Sequence, residues 1–589
     1  MKKEVFQKDY RDSFQVYQKY EHTSGWLSFF RFLFFIGFIV CLLIGYFQKH
    51  FSFYVIALMC FIIFIIIVFK HNHLKKQLLY FKNKCQVLKN HLLKIDDQWE
   101  GFDDGLEFQI NDSAKDLDIL GSHSLYQMLN ICLTYQGQRK LAVSLQKPEL
   151  NKKDILDRQT ALLELKEHED FILNIQTLGY SLYKNDKNIK DDFQQSLNKQ
   201  IKSVPKLLFI LPLCMIIFLL GVIFSVGLPY LMILCEILFV VQFFITIIKN
   251  QQHQQLFNPV KNYSKVFSRY MAIFKAFEKE EFHSSYLKQL QRKCFDTISV
   301  VEAIQKLSYL TQFISYRQNI IVYLLGNSLF LYDFWLRNAY LRWLKEYGIY
   351  MEKWLDSLSD LEVLMSFYTP YMDGYHVSMP VIKDELSLSF HNLRHPLISM
   401  KKNVGNDFKL VDHVNLITGS NMSGKTTFMR TIALNLILSY NGSFIFGDDM
   451  ECSLMKILTS IRIQDNTQEG ISMFYAELLR IKKMIDYSQE NLPMICFIDE
   501  IFSGTNSLDR IVGAQATIEQ LSLKHCLVFM TTHDFELCKN KHVANYYFKE
   551  DYQDNQILFS YKMYTGVSPT TNGQFLLKQL GIIKKDEIE

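Results

Sequence analysis

The chain has 589 residues, 49% of them hydrophobic and 21% charged, with a formal net charge of +4. That length admits about three or four domains, and so small an imbalance of charge excludes a whole-chain nucleic-acid signature. The eleven cysteines stand singly, without a C-x-x-C pair, and several (Cys41, Cys60, Cys235) lie in apolar runs. This usage fits reduced thiols packed as small hydrophobes, not disulfides or zinc ligands.

The first residues, Met1-Lys-Lys-Glu-Val-Phe6, lead into no apolar core and do not read as a signal peptide. Residues 1–25 are polar and aromatic, which predicts a short cytoplasmic helix. Two apolar runs follow, Phe32–Phe47 and Phe53–Phe69, separated only by Gln48-Lys-His-Phe-Ser52. Each is nearly as long as the roughly 20 residues that cross a bilayer, and neither has a polar face. A tight transmembrane hairpin is expected, with Trp26 and Tyr46 at interfacial depth. A second hairpin is predicted from Leu207–Val226 and Pro229–Ile248. Lys2, Lys3, Lys8, Arg11 and Lys19 precede the first hairpin, and Lys70, Lys75, Lys76, Lys82 and Lys84 follow it. Lys202, Lys206 and Lys249 flank the second. The positive-inside rule then places both termini and all large segments in the cytoplasm of a four-span cell-membrane protein. Glu236 and Gln242 fall inside the fourth span. A carboxyl there is a functional candidate by default, and the blander expectation is a protonated Glu236 bonded within a four-helix packing interface.

Residues 73–204 and 250–375 carry apolar positions at helical spacing and read as one discontinuous helical domain, with the second hairpin (205–249) inserted in it. The apolar stretch Ile320–Tyr332 is too short for a span and reads as a core helix. From residue 376 onward, short apolar runs alternate with amphipathic helices, the texture of an α/β domain. Strands are expected at Leu386–Phe390, Val414–Thr418, Ser443–Phe446, Met494–Ile498 and Leu527–Thr531.

In that last domain, Thr418-Gly-Ser-Asn-Met-Ser-Gly-Lys-Thr-Thr427 fits G-x-x-x-x-G-K-[ST], with an apolar run before it and a helical pattern after it. In such a P-loop the backbone N–H groups of Gly419, Ser420, Asn421, Met422, Ser423 and Gly424, with the helix N-terminus at Lys425, Thr426 and Thr427, cradle phosphates. Lys425 reaches the β- and γ-phosphates of ATP, and the Thr426 hydroxyl holds Mg²⁺. Met494-Ile-Cys-Phe-Ile-Asp-Glu500 runs an apolar segment into two carboxylates. Asp499 is suited to orient Mg²⁺ through its water shell, and Glu500 to polarise the attacking water. Thr531-Thr-His533 ends the next apolar run and offers His533 to the γ-phosphate.

The segment Ile417–Arg430, with Asn421-Met422 inside its loop, resembles the nucleotide loop of the MutS family of mismatch-repair ATPases. Ile498–Asp509 is similar to the family's Asp-Glu strand and following loop, Thr532–Leu537 to its histidine switch, and Ser460–Glu477 to its signature segment. On that resemblance Ser472, with Phe474 and Glu477, faces the γ-phosphate of a partner subunit, which implies a homodimer with composite sites. Arg394-His-Pro396 resembles the start of the family's ATPase domain. Leu129–Gly137 through Pro148, Ile155–Gln159, and Trp354–Leu358 through Pro370 resemble its core and lever helices. The likeness covers residues 105–200 and 300–580. Departures are as informative. No mismatch-reading domain with a Phe-x-Glu wedge precedes the core, a membrane hairpin stands where the DNA clamp interrupts the lever, and Asn403 takes the place of an adenine-stacking aromatic. The loop after Glu500 reads Ile-Phe-Ser-Gly, and the chain ends without the family's terminal dimerisation helices.

The fold class expected is therefore α plus α/β. It comprises a tail and first transmembrane hairpin (1–72), a helical core and lever in two parts (73–204, 250–375) around a second hairpin (205–249), and a P-loop ATPase domain of MutS type (376–589). The expected activity is ATP hydrolysis coupled to the levers and the membrane helices, with the lipid bilayer as partner. DNA is a further candidate partner, through the lysine-rich stretches 70–94 and 184–202. Two alternatives stand: a mismatch-repair protein binding mismatched or branched DNA, and an ATP-binding membrane scaffold with little turnover.

Overall fold

A computed structural model describes residues 2–110, 113–180, 182, 186–198, 205–224, 229–296, 298–461, 473–502, 506–553 and 556–568. The chain opens with two long antiparallel helices, Lys2–Gln48 and Phe51–Ile95, joined at His50. The short helix expected over residues 1–25 is the first half of the 47-residue helix, because nothing between Gly25 and Trp26 breaks the backbone pattern. Each helix is apolar where the two meet and polar toward the other end, so one pair of rods provides both the hairpin and a docking arm. Lys2 Nζ pairs with Glu169 (2.7 Å) and Lys3 with Asp96 (2.5 Å), while Phe6 stacks on His91 at 5.1 Å. His91 Nδ1 lies 2.6 Å from Asp373 Oδ1, both fully buried. Lys94, the last residue of the lysine-rich stretch 70–94 named as a candidate DNA contact, is buried, and its ammonium donates to the carbonyls of Met128 and Asn130. Burial lowers its pKa to about 8.

Among the described residues four helices are long and apolar enough to cross a bilayer: Lys2–Gln48, Phe51–Ile95, Leu207–Phe224 and Pro229–Phe257. The two members of each pair pack on one another. Two expectations need correction, one within the second pair and one in the helical domain. Glu236 lies on the exposed face of its helix, and Gln242 is the buried polar group there. The helix Ile320–Phe330 is not a core helix, since most of its apolar side chains are exposed.

In the helical body the 22-residue helix Met351–Met372 packs on Tyr135–Gln146 and Ser285–Phe295, and Ser264–Lys279 packs on Glu169–Gly179 and Val300–Tyr316. Two carboxylates are enclosed within it. Glu362 Oε2 accepts from Thr134 Oγ1 at 2.7 Å, and Asp186 accepts from Tyr270 Oη at 2.9 Å and from the Tyr135 N–H. Burial pushes Glu362 up to about 8 and Asp186 to about 7.

Ten described strands form two sheets: β1 (Val381–Lys383), β2 (Leu388–Leu393), β3 (Asn406–Lys409), β4 (Val414–Thr418), β5 (Asp449–Ser453), β6 (Lys456–Ser460), β7 (Met494–Ile498), β8 (Cys526–Thr531), β9 (Val543–Gln553) and β10 (Gln556–Thr565). The larger sheet has the order β10-β9-β4-β8-β7-β6, parallel except for β10. The smaller has the order β1-β5-β2-β3. A parallel sheet covered on both faces favours apolar residues at every position, which is why β7 and β8 are apolar runs up to their last residues and β4 is apolar apart from Thr418 and the buried Asn415, whose amide donates to the Val528 carbonyl. Alternate residues divide between two cores: Ile417, Phe497 and Phe529 join the core shared with the helical body, and Leu416, Cys496 and Val528 a second core on the opposite face. Ser443–Phe446, expected as a strand, instead forms a turn with a single bridge, Ser378–Ile445, and its aromatic Phe444 stacks on Tyr371 at 5.5 Å. Those residues are apolar because they seal the sheet domain against the end of helix Met351–Met372.

Candidate functional site

Register places the site. Ile417 pairs with Thr531, and Ile498 with Met530, so β4, β7 and β8 end together at one edge of the sheet. In an open parallel sheet that edge is where ligands bind. The loop after β4 turns through Gly419 (φ +143°), Met422 (φ +68°) and Gly424 (φ +111°) into helix Lys425–Tyr440. A Cβ at Gly419 would meet the Phe548 carbonyl oxygen at 2.9 Å, so both the left-handed backbone and the close approach require glycine.

Lys425 is buried, and its ammonium donates to the carbonyls of Gly419 (2.8 Å) and Ser420 (2.9 Å). Desolvation lowers its pKa, opposed by the charges of Glu500, Asp499 and Glu550. Thr426 Oγ1 donates to Asp499 Oδ2 at 2.7 Å. Thr531 Oγ1 donates to Asp499 Oδ1 at 2.6 Å and accepts from the Glu500 N–H at 2.8 Å. Glu500 lies 3.1 Å from His533 Nε2, and that hydrogen bond holds its carboxyl below the usual range. Glu500 adopts φ +49° and Phe502 φ +55°. Such left-handed non-glycine residues cost of order 1–3 kcal/mol each and persist where the surroundings impose them. Here the Phe502 N–H donates to Glu477 Oε1 at 2.6 Å, and Phe474 sets its ring edge against Phe502. Glu477 is buried in its own chain, which raises its pKa, and it anchors the loop after β7.

The structure thus brings Lys425, Thr426, Asp499, Glu500 and His533 together around one loop. Ser420, Asn421, Met422, Ser423, Gly424, Thr426 and Thr427 line a cavity of about 490 Å³ with Lys425 and Glu500. Ser472 lies outside the described residues. Asn403 is occupied structurally: its amide donates to the carbonyls of His395 and Ile398, and its oxygen accepts from the His395 N–H. Burial lowers the His395 pKa to about 4, leaving a neutral ring whose Nδ1 accepts from the Leu397 N–H.

Sequence reasoning missed three contributors. Thr531 was read as a strand end, although its hydroxyl joins the two carboxylate residues. Glu550 accepts from the Ser420 hydroxyl. Tyr561, on β10, lines the cavity and supplies the aromatic wall that position 403 lacks. Each reaches the loop through strand register, which has no local signature in the chain.

A glycine loop set between β4 and its helix, at the shared carboxyl edge of a parallel sheet, defines the C-terminal part as an α/β domain with its loop at the edge where such sheets bind ligands. Residues 415–582 match the family model described as MutS domain V. The DNA mismatch repair protein MutS of Staphylococcus haemolyticus is 32% identical over 247 residues, which cover 39% of this chain and 27% of that protein. Its namesake from Ehrlichia ruminantium is 29% identical over 234 residues, 38% of this chain and 29% of that protein. That of Thermus thermophilus is 31% identical over 201 residues, 33% of this chain and 24% of that protein. The likeness to MutS proteins lies in this C-terminal domain, and the chain matches less than a third of the length of those relatives.

Proposed function

We propose that the protein is a membrane-anchored ATPase whose head binds ATP with Mg²⁺ and hydrolyses it, working as a homodimer and passing the change to its helical body and membrane helices. The observation that carries this reading is the chain of contacts Thr426–Asp499–Thr531–Glu500–His533 beside the Lys425 loop. The residues suit the ligand. Ser423 Oγ is buried and has no hydrogen-bond partner among the described residues, and Lys425 is held by two carbonyls of the loop that phosphate oxygens replace.

In this reading the loop N–H groups from Gly419 to Thr427 and the Lys425 ammonium hold the β- and γ-phosphates, and Tyr561 covers the base. Thr426 and Asp499 hold Mg²⁺, which neutralises charge developing on the phosphates. Glu500, fixed through its backbone by Thr531 and through its side chain by His533, orients and deprotonates the attacking water. His533 then reports the presence of the γ-phosphate. Ser472 is assigned to the partner's site, by resemblance. Exposed Leu479, Leu508 and Val512 give the surrounding helices Met473–Ser488 and Ser507–Leu521 an apolar face suited to a second head.

Coupling follows from direct links between head and body. Arg430, on the helix that begins at Lys425, pairs with Asp118 at 3.0 Å, and Arg480 pairs with Asp116 at 2.8 Å. Asp373, capping helix Met351–Met372, bonds to His91 on the first membrane hairpin. The relatives act in DNA mismatch repair by name. For this chain, DNA is tested by salt-titrated binding to matched, mismatched and branched duplexes. A marked mismatch preference replaces the present reading with theirs.

The direct test is steady-state hydrolysis by the purified full chain beside Glu500→Gln. Loss of a positioned base costs about 10²- to 10⁴-fold in kcat, with ATP affinity retained. Equal, negligible rates in both proteins support a nucleotide-binding scaffold instead.

A further inference from the structure

We propose that helix Ile320–Phe330 is a fifth membrane-embedded element, a half-helix buried in the cytoplasmic leaflet at the foot of the second hairpin. The inference rests on the reading that this hairpin spans the bilayer.

The burial pattern of the helix is the reverse of what water selects. Its polar side chains Asn327 and Ser328 are 0% exposed, whereas Ile320, Ile321 and Leu325 are 77%, 63% and 45% exposed, with Val322, Leu324 and Phe330 also outward. A helix that hides its amides and hydroxyls and shows its aliphatics is matched to lipid. Its eleven residues span about 16 Å at the α-helical rise, about half of a hydrocarbon core of roughly 30 Å. It can enter one leaflet and cannot cross. An 88° bend separates it from the helix that begins at Tyr332, with Leu331 at φ +52° making the turn.

The structure fixes its depth. Leu331 and Phe334 pack with Leu208, Phe209, Leu211 and Ile245, at the ends of the hairpin where Lys206 and Lys249 lie. Phe209 and Trp335 have ring centroids 4.5 Å apart. Beneath the helix lies a polar layer. Arg317 Nε donates to Asp333 Oδ2 at 2.8 Å, its other nitrogen reaches Asn250, and its guanidinium covers the Tyr323 ring at 5.1 Å. Asn327 Oδ1 accepts from the Asp333 N–H and closes the turn. Exposed Tyr309, Phe313, Tyr316 and Trp335 flank the helix, at the level where amphipathic rings favour the interface. Polar ties below, aliphatics above and aromatics alongside place the helix in the leaflet the hairpin enters.

The test uses the full chain reconstituted in vesicles of phosphatidylcholine and phosphatidylglycerol, with and without bromine on the acyl chains. Single tryptophans are added at three exposed positions: Ile321→Trp on the helix, Ile217→Trp on the second hairpin and Val411→Trp on the surface of the sheet domain. The quantity read is the emission lost to bromine above that of the parent protein. Quenching of Ile321→Trp comparable to that of Ile217→Trp, with a blue-shifted maximum, is the expected result. If Ile321→Trp behaves as Val411→Trp while Ile217→Trp is quenched, the half-helix proposal is overturned and the hairpin reading stands. If Ile217→Trp escapes quenching, the hairpin reading fails and takes the proposal with it.

Discussion

Thr531→Val isolates the feature of the site that local sequence does not display. The hydroxyl is fully buried, donates to Asp499 Oδ1 at 2.6 Å and accepts from the Glu500 N–H at 2.8 Å. Valine fills nearly the same space and removes both bonds. A hydrogen bond to a charged acceptor contributes about 1.5–3 kcal/mol. The Glu500 N–H adds less, because that residue is partly open to water, giving a total of about 2–3 kcal/mol. Asp499 retains Thr426 as partner, so the head should still fold and bind ATP. The loss instead falls on the orientation of Glu500, whose backbone is held at φ +49°. Expressed in the transition state, that energy lowers kcat/KM about 30- to 160-fold. The assay is ATP hydrolysis against ATP and Mg²⁺ concentration, with Thr531→Ser as the variant that restores the hydroxyl and most of the rate. A Thr531→Val enzyme with parental kcat/KM refutes the positioning role. Equal losses in the Ser and Val variants would show that shape, not the hydroxyl, matters.

Three further outcomes are expected. Tyr561→Ala should weaken ATP about 5- to 160-fold, since stacking on a base contributes about 1–3 kcal/mol, while leaving inorganic triphosphate binding unchanged; competition binding with both ligands checks this. Glu362 keeps its proton to about pH 8 in the folded chain, against an ordinary value of 4.5. Between those values the folded state holds more protons than the unfolded one, so this group's contribution to stability declines as pH rises through the window. Thermal unfolding of Glu362→Gln should therefore gain on the parent as pH increases from about 5 to 8, and a constant difference would contradict the assignment. His91→Ala leaves Asp373 buried without its partner and should cost about 3–5 kcal/mol, read as an earlier thermal transition in detergent with ATP affinity at the head unchanged.

The parts of this molecule legible in its sequence are those where one physical demand dominates. Strands β4 and β7 lie where their mostly apolar runs indicate, because a sheet covered on both faces leaves few polar positions to blur the boundaries. The nucleotide loop is legible because its glycines occupy backbone angles and clearances that other residues do not tolerate. Ser443–Phe446 misleads because burial against Tyr371 produces the same apolar texture as a strand. Strands β9 and β10 went unread, since Lys549, Glu550 and Asp551 interrupt their pattern. Tyr561 and Thr531 gain their significance from register, a property of paired strands. Helix Ile320–Phe330 reads as core from sequence because composition reports apolarity without saying whether the side chains point into the protein or out of it.

The unbroken helix from Lys2 to Gln48 has a mechanical consequence. At the α-helical rise it is about 70 Å long, and its amino end is clasped by Glu169 in the body and by His91 at the far end of its partner helix. Such a mooring has no slack. In the membrane-anchored reading proposed above, the head is kept at a fixed standoff from the bilayer, so whatever it handles comes to the membrane surface. A tilt of the rods by lipid thickness or tension would be felt at Asp373 without any messenger.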